Sequence, residues 1–154
     1  MIRQLSLFAS MLAVPAAAWA GNDVALTTNV FVEKTVQANG QARVVLEEPK
    51  LVVPGDKLVF VLSYANKGST PASDFVVTNP MPGAVAFQSA ADASAIVSVD
   101  GGRAWGGLAA LKIKDSDGTV RGARPEDVTH VRWTFTRAIP VGQGGKLSFR
   151  GVVR

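Results

Sequence analysis

The sequence predicts an all-β protein: a single antiparallel β-sandwich of about seven to nine strands, preceded by a cleaved signal peptide. Three observations carry that prediction. Apolar residues alternate with period two in several segments, while few show helical periodicity. Turn signals of Gly, Pro, Asn and Asp recur about every eight to twelve residues. One uninterrupted run, Val53-Pro54-Gly55-Asp56-Lys57 into Leu58 through Gly68, reads as turn, strand and second turn.

The leader comes first along the chain. Arg3 supplies a positive start, Leu5 to Val14 is apolar, and a small-residue stretch from Pro15 ends in Ala18-Trp19-Ala20. That order predicts cleavage between Ala20 and Gly21. The apolar segment is about ten residues, too short for a membrane span of about twenty. No cysteine follows the site, so no lipid anchor is expected. The expectation is an exported protein, periplasmic or extracellular, with no transmembrane segment and residues 21–154 as its one domain.

Composition narrows the classes further. The chain has 154 residues and no cysteine, so its stability must come from packing instead of disulfides. Thiol catalysis and Cys-ligated metal are excluded with them. Lys and Arg number 16 against 12 acidic residues, a net charge of +4, dispersed without a basic run. Nucleic acid is therefore not an expected partner. Arg121, Arg124, Arg132, Arg137, Arg150 and Arg154 enrich the last third, and read as solvated faces of strands and loops.

Each strand has its own signature. Val24 to Lys34 reads as the first. Asn39-Gly40 is a two-residue hairpin signal, since a type I′ turn needs positive φ at both positions. It joins residues 33–36 to Arg43-Val44-Val45-Leu46. Pro54 presets a type II turn and Gly55 takes its positive φ. Leu58, Phe60, Leu62 and Tyr64 then share one face; the partly apolar opposite face predicts a central strand. Phe75 to Thr78, Val85 to Phe87 and Ala95 to Val99 follow, separated by Asn79-Pro80-Met81-Pro82-Gly83 and closed by Asp100-Gly101-Gly102. Residues 106–127 are the least regular. Val131, Trp133 and Phe135 alternate with polar residues, as do Leu147 and Phe149, giving the last two strands.

Pro54-Gly55-Asp56, Tyr64-Ala65-Asn66-Lys67-Gly68, Pro80-Met81-Pro82-Gly83 and the run from Val97 to Trp105 occur in a telling order. Over roughly residues 42–153 the chain resembles the DUF11-type conserved repeat domain, an Ig-like module of bacterial and archaeal secreted and cell-surface proteins. The resemblance implies a non-catalytic structural or interaction module. The motif residues have scaffold roles: Gly55 and Gly68 open turn conformations, Asp56 accepts backbone amides, and Asn66 tolerates left-handed geometry and bonds local backbone.

Chemistry-bearing patterns are sparse. His130 is the only histidine and falls on the polar face beside Arg132. Ser63, Ser73 and Ser98 sit in ordinary strand or turn contexts, without the setting a Ser-His-Asp triad requires. Asp115-Ser116-Asp117-Gly118 begins like a calcium loop, but its glycine comes at position four instead of six, so it reads as a β-turn. Trp105 follows a glycine-rich turn and is the one candidate stacking platform for sugars. No catalytic, cofactor-binding or metal residue is assigned, and no cofactor is expected. The leading expectation is a module at the bacterial envelope that binds a protein partner or self-associates through an edge strand, with Val24 to Val32 as the candidate exchanged strand. The alternative is a carbohydrate-binding module.

Overall fold

The computed structural model describes residues 23–154, so the predicted leader at 1–20 lies outside the described residues. β1 (Val24–Ala38) and β2 (Gln41–Glu47) form a hairpin closed by Asn39 and Gly40, with φ of 53° and 76°. Both positive values are what the Asn-Gly pair supplies for a type I′ turn. β1 is one strand of 15 residues, longer than its apolar stretch suggests. It continues through Lys34 and Thr35 because β2 partners that half of it.

β3 (Lys57–Asn66) pairs with the other half of β1, from Val24 to Glu33, on the opposite side from β2. Residues 48–56 therefore carry the chain across β1. The crossing ends in the predicted turn: Gly55 has φ 94°, and the Asp56 N–H donates to the Val53 carbonyl at 3.0 Å. The Asp56 carboxylate accepts the Val53 N–H at 2.9 Å, fixing the approach to β3.

β4 (Val76–Pro80), β5 (Val85–Ala90) and β6 (Ile96–Ser98) lead to a small hairpin, β7 (Lys112–Lys114) and β8 (Val120–Gly122). β9 (His130–Thr134) and β10 (Gly144–Val153) complete the ten described strands. β7 and β8 have three residues each, too few for a period to show, which is why residues 106–127 read as irregular.

The main sheet has five antiparallel strands in the order β2-β1-β3-β10-β5, and the second has three, β4-β9-β6. β3 is the central strand, which explains why Val59 on its second face is buried along with Leu58, Phe60 and Leu62. The two sheets enclose one core, giving an all-β, sandwich-like body. Phe60 and Phe149 stack at 4.5 Å between ring centroids, and Trp133 of β9 meets Phe149 at 6.2 Å. Val77, Val97 and Val131 complete the second sheet's contribution. Tyr64, Phe75 and Phe135 form a partly buried aromatic group against this core, Tyr64 meeting Phe135 edge-on at 4.9 Å.

Candidate interaction surface

The structure brings Ser98 and His130 together as directly opposed residues of β6 and β9, a juxtaposition invisible in sequence. The hydrogen bonds run elsewhere, however. The Ser98 hydroxyl donates to Asp100 at 2.8 Å and accepts the Gly102 N–H at 2.9 Å. His130 Nδ1 lies 3.0 Å from the Thr129 hydroxyl. A triad needs the imidazole between serine and carboxylate. Here the carboxylate holds the serine directly, and also accepts the N–H groups of Arg103 and Ala104. Those bonds, from Ala104 first and then Ser98, hold the Asp100 carboxyl below its usual range. Ser98 and Asp100 order a loop.

Trp105 ends that loop, its indole N–H donating to the Gly102 carbonyl at 2.8 Å. Arg132 lies over the ring, 3.6 Å from its centroid, and its Nε donates to the Thr78 hydroxyl at 3.0 Å. A cation–π contact thus occupies one ring face that a stacking sugar would need.

Asp115 and Asp117 close the β7–β8 hairpin, as the β-turn reading expects. The Gly118 N–H donates to the Asp115 carbonyl, and the Asp117 carboxylate accepts the Thr119 N–H. Arg121 of β8 bridges two acidic side chains. Its Nε binds Asp115 at 2.9 Å, while its other nitrogens grip Asp127 at 2.6 and 3.0 Å. Among the described residues no group of three or more His, Asp or Glu could hold a metal ion. Much of the remaining arginine is engaged too: Arg150 pairs with Glu33 at 3.0 Å, and Arg154 donates to the Glu126 carbonyl.

What stands open is a sheet edge. Val24 to Glu33 pairs with β3 of its own chain, so the candidate exchanged strand is already paired within the fold. β2 and the second half of β1 continue past the start of β3 as a two-stranded arm. Val44 is 63% exposed and Leu46 48%, with Val36 also exposed. A two-residue hairpin turn is flanked by a pair exchanging both backbone hydrogen bonds, and bonded pairs then alternate. Val36–Arg43, Lys34–Val45 and Val32–Glu47 are bonded pairs by that rule. Ala42, Val44 and Leu46 aim their N–H and C=O groups away from β1.

The edges of β4, β5 and β6 are blunted by devices that suppress strand addition. β4 ends in Pro80, β6 has three residues, and β5 sits beside a register shift at Arg150/Gly151 with the 3₁₀ turn at Pro125–Asp127 packed near it. β2 has neither proline nor bulge along its seven residues. At the arm's base a groove of about 700 Å³ is lined by Val32, Lys34, Glu47, Pro49, Lys50 and Leu51. The sequence marked β2 as a hairpin limb, but its projection beyond the body depends on where β3 begins. Among the described residues no helix is long and apolar enough to cross a membrane. No family model, curated protein or solved structure matches this chain.

Proposed function

We propose that the protein is an exported, non-catalytic Ig-like module of the DUF11 type. It acts at the bacterial envelope, in the periplasm or outside the cell, as a structural or protein-interaction unit. Its mechanism is strand addition to β2, in which main-chain hydrogen bonds supply affinity and alternate side chains supply selectivity. The observation that carries this reading is the projecting arm, with unpaired backbone groups at Ala42, Val44 and Leu46 beside exposed Val44 and Leu46. The leader-like start and the ordered DUF11-type motifs support the address and the class. A glycan-binding role through Trp105 is the weaker reading, because Arg132 already covers one face of that ring.

The test is made in the native host, with a photo-reactive residue placed at Val44 or, as a control, at Asp117. The expected result is a chain beginning at Gly21 in the periplasm or medium, and a covalent protein adduct from position 44 alone. Retention of residues 1–20 inside the cell, or no adduct from position 44, overturns the reading.

A further inference from the structure

We propose that the occupant of the β2 edge is a second copy of the chain, paired antiparallel about a two-fold axis at Val45. This deepens the strand-addition reading and rests on it. The free backbone groups belong to Ala42, Val44 and Leu46, so a two-fold pairing must set even-numbered residues opposite one another. Few registers satisfy that condition. An axis at Arg43 sets two arginines face to face, which like charge disfavours. An axis at Val44 places Arg43 against Val45 and leaves its charge unmatched. An axis at Leu46 brings Pro49, which lacks an N–H, opposite Arg43.

The axis at Val45 satisfies both faces. Arg43 of each copy lies opposite Glu47 of the other, and Val44 opposite Leu46, twice over. Glu47 is already bridged by Lys34 at 3.0 Å, so each end of the pairing becomes a Lys-Glu-Arg row. The four exposed aliphatic side chains join into one stripe on the opposite face. The bodies then lie at opposite ends of the clasped arms. Each arm's tip runs beside the partner's segment after Glu47, where Leu51 is 83% exposed. Charge and apolar exposure select the same register.

Because the chain has no cysteine, single substitutions test that register cleanly. At the two-fold, Val45 faces its own copy in a non-hydrogen-bonded pair about 4.5 Å apart, within disulfide reach. The two copies of position 43 are offset by four residues, about 13 Å. With oxidised glutathione, Val45→Cys should give a covalent dimer and Arg43→Cys should not. In sedimentation velocity Arg43→Glu should weaken self-association by at least about tenfold, since two pairs turn repulsive together. The double variant Arg43→Glu/Glu47→Arg should restore it. A chain that stays monomeric from micromolar to millimolar, or an Arg43→Cys that cross-links as readily as Val45→Cys, overturns the proposal. Should Arg43→Glu fail to unfold cooperatively, the two cysteine variants decide alone. Photo-adducts at Val44 separate the two levels. A mass of twice the mature chain supports self-pairing, another protein's mass overturns self-pairing alone, and no adduct overturns both.

Discussion

Asn66 shows how far a single residue can depart from its motif role. Its place before Lys67-Gly68 suggests a local, left-handed turn residue, yet it is 1% exposed and ends β3 in extended backbone. Its side-chain N–H groups donate to the carbonyls of Thr70 and Ile139, both at 2.9 Å, and its oxygen accepts the Gly68 N–H. Ile139 lies 73 residues away, so the amide ties the end of β3 to the chain after β9. Gly68 likewise needs no positive φ; a Cβ there would stand 3.2 Å from both Asn66 and Asp23, so close approach explains it. Asn66→Ala strands two carbonyls and should cost about 2–4 kcal/mol in urea denaturation, with the fold retained. Asp127 gives a pH dependence. Its hydrogen bonds from Arg121, strengthened by the Arg124 N–H, hold its carboxyl below the usual range despite partial burial. A carboxyl lowered on folding stabilises fully above its unfolded value of about 3.9, and that contribution disappears as pH falls through the lower folded value. Asp127→Asn should therefore lower Tm at pH 7 and flatten its fall on acidification, as followed by circular dichroism.

The β1–β2 arm is the element in which local signals and tertiary placement diverge most. Asn39-Gly40 and the alternating limbs made the hairpin legible, because a type I′ turn is specified by its own two residues. That the arm stands clear of the body was not legible, since it depends on β3 meeting β1 only as far as Glu33. An arm held by one partner strand should open independently of the core. Gly40→Val, forcing a β-branched residue to φ near 76°, should weaken the arm by about 1–2 kcal/mol. Amide exchange should accelerate in residues 34–47, while the urea midpoint of the body changes little. A matching fall in global stability would show that arm and body unfold as one. The β10 bulge makes the opposite case. A Cβ at Gly151 would run into the Val85 side chain and lie 3.0 Å from the Ala86 carbonyl, so Gly151→Ala should destabilise the body by about 1–3 kcal/mol, read from the same urea curves.

Across the whole molecule, stability rests on one core shared by two sheets, with no disulfide to restrain the unfolded chain. Phe149 sits at its centre, stacked on Phe60 and touching Trp133 across the sheets. Phe149→Ala should cost about 3–5 kcal/mol, measured as a lower urea midpoint with unchanged slope. The alternation of Leu58, Phe60 and Leu62, and of Val131 and Trp133, made this core readable in advance, because a strand's two faces are fixed by its period of two. The turn around Pro54-Gly55-Asp56 was equally readable, since proline and glycine impose their own φ values. By itself, then, the sequence determined the strand character, the positions of the tight turns, the inward residues and the lack of disulfides. All of these are local or compositional. Only the tertiary structure decided the strand order, the opposition of Ser98 and His130, the reach of Asn66 to Ile139, and the exposed edge of β2. Those are pairings between residues far apart in the chain, and local backbone preference carries no information about which distant strand arrives alongside.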